Sequence, residues 1–133
     1  MGKGVALQFR EHFPLNYQLY KKACDAGGVK LGRMFVTETG QLTGPKYIIN
    51  FPTKSSWRSF SKLEYISTGL DDLVKVITDL KIKSIAIPPL GCSNGGLDWQ
   101  DVRPLIVSKL AHLSAHVKTE GLNLGTTAIQ KQP

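Results

Sequence analysis

The chain has 133 residues, enough for one domain with a hydrophobic core. Its apolar share of 41% and charged share of 20% exclude an intrinsically disordered chain. No apolar run approaches the ~20 residues that a membrane-crossing helix needs, so no membrane role is expected. A net charge of +7 and a pI near 9.5 favour polyanionic partners such as nucleic acid, nucleotides or an acidic surface, without choosing among them.

Met1-Gly2-Lys3-Gly4-Val5 leads into no secretory apolar segment. Helical spacing first emerges at Phe13, Tyr17, Tyr20 and Cys24 and ends at Gly27-Gly28, with Pro14 suited to the first turn. Two short apolar runs with turn residues around them, Met34-Phe35-Val36 and Tyr47-Ile48-Ile49-Asn50-Phe51, predict strands joined by a hairpin-type connection through Gly40 and Gly44-Pro45. Residues 52–62 form a polar, basic loop with Trp57 and Phe60 as isolated aromatics. A long helix should follow, because Leu63, Ile66, Leu70, Leu73, Ile77 and Leu80 recur at spacings of three and four. Ser84-Ile85-Ala86-Ile87 reads as a buried strand stopped by Pro88-Pro89. A last helix should start near Asp98 or Asp101, bearing the stripe Ile106, Leu110 and Leu113. After His116 the pattern fails, and residues 117–133 are expected to form an irregular or disordered tail. Strands alternating with helices imply a layered α/β domain, although three strands make a thin sheet.

The strongest local motif is Pro88-Pro89-Leu90-Gly91-Cys92-Ser93-Asn94-Gly95-Gly96. A strand running into a glycine-rich turn before a helix presents backbone N–H groups to an anion, and glycine lets the backbone approach a phosphate closely. The motif is neither a Walker loop nor a dinucleotide fingerprint, and a tight loop without a ligand is the alternative. Gly2-Lys3-Gly4 is a weaker candidate of the same kind. Lys54, just beyond Pro52 at a strand end, stands where α/β folds place ligand groups and could act as a phosphate clamp or a nucleophile. Trp57 and Arg58 make a stacking and phosphate-binding pair suited to single-stranded nucleic acid, or a solvated loop with the tryptophan lidding the core. His112 and His116 have the i, i+4 spacing of metal ligands on a helix, but no third ligand is visible, so no metal is expected. Cys24 and Cys92 form neither a CxxC nor a zinc pattern, and reduced thiols in a cytoplasmic setting are the plain expectation. No base is identifiable for Cys92, which is read as a packing or loop-shaping residue.

In this order the segments resemble the macrodomain (Appr-1-p processing) superfamily. Within it they are similar to the DarG-type DNA ADP-ribosyl glycohydrolases, antitoxins that reverse modification by a DNA-targeting toxin. The matching strings are Met1-Gly-Lys-Gly-Val-Ala-Leu-Gln-Phe9, Leu31-Gly-Arg-Met-Phe35, Tyr47-Ile-Ile-Asn-Phe-Pro-Thr-Lys54, Trp57-Arg58, and Ile87-Pro-Pro-Leu-Gly-Cys92 running into Gly95-Gly-Leu-Asp-Trp99, within residues 1–112. The resemblance implies a three-layer α/β/α domain with a mixed sheet over residues 1–116, lacking the family's N-terminal strand segment and its final strand. It places Gly2, Lys3, Gly4 and Val5 in a first ligand loop beside the distal ribose and diphosphate. Pro89, Leu90, Gly91, Cys92, Ser93, Asn94, Gly95 and Gly96 would form the second loop, cradling the diphosphate through N–H groups. Lys54 would be the catalytic lysine, acting at the anomeric carbon of the distal ribose, and Trp57 and Arg58 would contact nucleic acid. The carboxylate that a related branch carries in the second loop is replaced here by Ser93-Asn94-Gly95. The implied function is a hydrolase that removes ADP-ribose from DNA bases without a cofactor, with ADP-ribosylated DNA as substrate and a cognate DNA-modifying toxin as partner. A non-catalytic ADP-ribose-binding module is the alternative, and a general single-strand binder a third.

Overall fold

A computed structural model describes residues 10–54, 59–92, 95–113, 116–118 and 127–131. In chain order the elements are α1 (Pro14–Asp25), β1 (Phe35–Glu38), β2 (Tyr47–Phe51), α2 (Leu63–Asp79), β3 (Ser84–Ala86), α3 (Trp99–Leu110), β4 (His116–Lys118) and β5 (Thr127–Lys131). The strands form one mixed sheet in the order β1-β2-β5-β3-β4. Among the described residues the β1–β2 hairpin is the one antiparallel pair, with Phe35 opposite Asn50 and Glu38 opposite Tyr47. The β2–β5, β5–β3 and β3–β4 pairs are parallel.

Alternation along β2 sorts its side chains between two layers of helix. Ile49 and Phe51 point into the main core, where they join Ile66, Leu70, Leu73 and Ile77 of α2, Ile85 of β3, and Val102, Ile106 and Leu110 of α3. The α2 stripe follows its three-and-four spacing from Ile66 to Ile77, whereas Leu63 at the predicted start is exposed and Leu80 at the end is half-buried. Each fully buried side chain contributes roughly 1.5–3 kcal/mol. Gly69, in the middle of α2, makes room for a β2 side chain: a Cβ there would overlap the Phe51 ring. Asn50 points the other way, to α1. It exchanges hydrogen bonds with Asn16 at 2.9 and 3.1 Å and donates to the Phe35 carbonyl at 2.9 Å. The Thr37 hydroxyl donates to Asn16 Oδ1 at 2.6 Å. These buried polar groups satisfy one another, as their burial requires. Tyr20 of α1 meets the Phe35 ring edge-on at 5.7 Å between centroids, and burial pushes its phenol well above the ordinary tyrosine range. Helices therefore cover both faces of the sheet, and the three-layer α/β/α arrangement is the observed one.

Two expectations are corrected. Residues 116–118 and 127–131, expected within or beside an irregular tail, are strands, and the final strand expected to be missing is present as β5. A central parallel strand is held by ladders on both sides, so it needs no strong apolar pattern of its own to be recruited. The sheet thus has five strands among the described residues. The histidine pair is also separated: α3 ends at Leu110, leaving His112 exposed in the following turn and His116 in β4. No cluster of metal-ligating residues occurs among the described residues, and none of their helices is long and apolar enough to cross a membrane.

Candidate functional site

Because β2, β5 and β3 run parallel as neighbours, their carboxyl ends open on one edge of the sheet. In open α/β sheets this edge is where ligands bind. Beyond β2 the chain passes through buried Pro52 and Thr53 to half-buried Lys54. Beyond β3 it passes through buried Ile87, Pro88 and Leu90 to Gly91. One strand separates β2 from β3, so the two exits lie about 10 Å apart at ordinary strand spacing. Among the described residues no carboxylate pairs with Lys54.

Gly91 and Gly96 take positive φ, at +73° and +82°, as the glycine-rich turn requires. A Cβ on Gly91 would lie 2.7 Å from Leu97 Cδ1 and 2.9 Å from Ser61 Oγ. Internal hydrogen bonds brace the loop: the Cys92 N–H donates to the Pro89 carbonyl at 3.3 Å, Gly95 to Cys92 at 3.2 Å, and Leu97 to Gly91 at 3.0 Å. Two amides expected to face an anion, those of Cys92 and Gly95, are thus turned toward the loop itself. The N-terminus of α3 is likewise occupied, since Asp98 Oδ1 accepts from the Gln100 N–H at 2.9 Å. Cys92 is buried, and its Sγ lies 3.7 Å from the Leu90 carbonyl, consistent with a packing role.

The segment before α2 closes onto this loop. The Ser61 N–H donates to the Gly95 carbonyl at 2.8 Å, and a Cβ on Gly96 would lie 2.9 Å from Phe60 Cδ1. Lys54, Pro89, Leu90, Gly91, Cys92, Gly95 and Gly96 therefore share one sheet edge. Gly2, Lys3, Gly4, Val5, Trp57, Arg58, Ser93 and Asn94 lie outside the described residues. Ser61 packs against Gly91 and Gly95 and carried no sequence signal, because a serine in a polar loop looks like any other until its neighbours are known.

A three-layer α/β/α domain with a glycine loop at the carboxyl edge of a mixed sheet defines a class, and the comparisons specify it. The Macro domain family model matches residues 1–106, and the chain belongs to that family. It is 58% identical over 113 residues to a DNA ADP-ribosyl glycohydrolase of Mycobacterium tuberculosis, covering 85% of this chain and 32% of the relative. The chain thus spans about a third of the length of the curated relatives it matches. It superposes on the macrodomain of Mycobacterium tuberculosis DarG with a TM-score of 0.88 and 54% identity, covering 90% of this chain and 79% of that one. A Thermosipho africanus DarTG structure in complex with ADP-ribose gives a TM-score of 0.78 at 27% identity, covering 96% of this chain and 34% of that one.

Proposed function

We propose that this macrodomain is an ADP-ribosyl glycohydrolase acting on ADP-ribosylated DNA bases, with Lys54 as its catalytic residue. The observation that carries the reading is the placement of Lys54 beyond β2 and of Gly91, Cys92, Gly95 and Gly96 beyond β3, at one parallel sheet edge with β5 between them. The relatives' names and the ADP-ribose-bound neighbour support it. With the diphosphate against the loop, the distal ribose reaches toward β2 and meets the Lys54 amine. The bond between the base nitrogen and the anomeric carbon breaks, its electron pair stays with the base, and the base takes up a proton. The oxygen of a water molecule ends on the anomeric carbon. Lys54 Nζ acts at that carbon as the bond breaks. A DNA ADP-ribosyl transferase would supply the modified strand and so be the partner activity, as the name of a Thermosipho africanus fusion relative suggests.

ADP-ribose release from ADP-ribosylated DNA tests the reading directly. Lys54→Ala should lower turnover by about a hundredfold or more, because a group engaged mainly in the transition state affects kcat more than binding. Its ADP-ribose affinity should change by only about 1–2 kcal/mol, the worth of one charge-assisted contact. Full turnover in Lys54→Ala would remove the catalytic assignment. A folded parent protein that binds ADP-ribose but releases none from modified DNA would be a binding module instead.

A further inference from the structure

Phe60 is 74% exposed and stands two residues before Lys62, the N-cap of α2. A single exposed phenylalanine is commonplace on a protein surface. This one is held in place. A Cβ built on Gly96 would lie 2.9, 3.6 and 3.7 Å from its Cδ1, Cε1 and Cγ atoms, so one side of the ring is seated on the backbone of Gly96. The Ser61 N–H donates to the Gly95 carbonyl at 2.8 Å and fixes the chain one residue further on. At 74% exposure, the rest of the ring faces solvent. Leu63, one turn along, is itself 40% exposed, and neither side chain belongs to the hydrophobic core. A ring with one supported face and one open face is what sequence-tolerant binders of unpaired strands offer a base. The charges nearby suit a strand as well. Lys62 follows Phe60, Lys54 stands at the β2 exit of the same edge, and Glu64 is the one acidic residue in the first turn of α2. The chain as a whole carries +7, which favours a polyanion. The base of a small ligand is ordinarily enclosed by walls on several sides, whereas a ring this open suits a base that arrives as part of a strand.

We infer that Phe60 stacks on an unpaired DNA base next to the ADP-ribosylated one, making it a substrate-binding residue for the strand. The inference rests on the DNA reading of this edge. A base in a duplex has both faces covered by its neighbours, so the ring selects single-stranded substrate. Its signature is dependence on the neighbouring base. Phe60→Ala should raise KM for an ADP-ribosylated single-stranded oligonucleotide about tenfold and leave kcat unchanged, as for one lost stacking contact. An ADP-ribosylated mononucleoside has no neighbouring base, so parent and variant should process it alike. Phe60→Trp keeps a flat ring and should restore the oligonucleotide KM.

Steady-state ADP-ribose release from both substrates provides the test, with thermal melts and with fluorescence anisotropy of an unmodified single-stranded oligonucleotide. A modified oligonucleotide with abasic sites on either side of the ADP-ribosylated base completes it. The expected result is a KM about tenfold higher for Phe60→Ala on the intact oligonucleotide, rescue by Phe60→Trp, and equal KM for parent and variant on the abasic one. An unchanged KM on the intact oligonucleotide would overturn the inference. So would a penalty of the same size on the mononucleoside, which would set the ring against ADP-ribose, or one that persists on the abasic strand, which would set it against the sugar–phosphate backbone. A lower thermal midpoint with losses on every substrate would make Phe60 a structural cover for Gly96 and overturn the inference alone. No release from any substrate by the folded parent would overturn the glycohydrolase reading. Anisotropy then decides the base contact by itself: about tenfold weaker binding of the unmodified strand by Phe60→Ala upholds it, and equal binding overturns it.

Discussion

At Gly91 the backbone turns through a φ of +73° inside a wall made by Leu97, Ser61 and Ile66. A side chain there meets two obstacles, a left-handed conformation that L residues avoid and a Cβ position already crowded to 2.7 Å. Gly91→Ala should therefore cost about 1–3 kcal/mol of stability, measured as a lower denaturant midpoint. It should also weaken ADP-ribose binding, because the loop must shift to relieve the contact; an unchanged midpoint would show that the turn is not strained by a side chain. The glycines of this loop were legible in the sequence because they cluster after a strand. Lys54 was legible for a similar reason, as a lysine just past a proline at a strand end. Ser61 was not, since its character comes from Gly91 and Gly95, which approach it only in the folded chain.

Among the elements, α2 was the most legible, because its apolar spacing alone fixes the face it buries. Its end was less so. No glycine follows the last turn, and Lys81 takes the left-handed conformation instead, with φ at 53°. The Ile82 N–H donates to the Ile77 carbonyl at 3.0 Å, closing the helix as glycine usually would. The conformational cost falls on a lysine, so Lys81→Gly should raise stability by about 1 kcal/mol. Because Lys81 precedes β3, it lies at the edge of the sheet opposite the loop, and ADP-ribose affinity should be unchanged. A denaturant titration with a parallel binding assay checks both halves; a fall in stability would mean that the lysine side chain contributes packing of its own. The α1 stripe was legible only in part: Phe13 and Tyr20 are buried, Tyr17 is half-buried and Cys24 is exposed, and the second buried residue of the helix, Asn16, lay off the apolar pattern. The sequence offers no hint that Asn16 of the same helix would pair with Asn50 of β2, since buried amides become intelligible only once both are seen together.

For the whole molecule, the decisive connection is β5. It lies between β2 and β3, with Ile48 opposite Ala128 on one side and Ile85 opposite Thr127 on the other. The chain order of its neighbours gives no sign of this, and a short segment without alternating large apolar residues does not announce a central strand. Removing residues 127–131 should leave β2 and β3 without their shared partner. The expected outcome is loss of cooperative unfolding and of ADP-ribose binding together, read by thermal melting and calorimetry. A truncated chain that still melts cooperatively and binds would place the ladder outside the essential core. The two exits that frame the site, one carrying Lys54 and the other the glycine loop, face each other only because β5 bridges them. During synthesis, the segments that end in the two exits can take up local helix and hairpin structure as they emerge, but they have nothing to align them. The edge that carries the proposed site is therefore complete only once residue 131 has cleared the ribosome, so a nascent chain stalled before that point can carry every proposed site residue without the strand that aligns them.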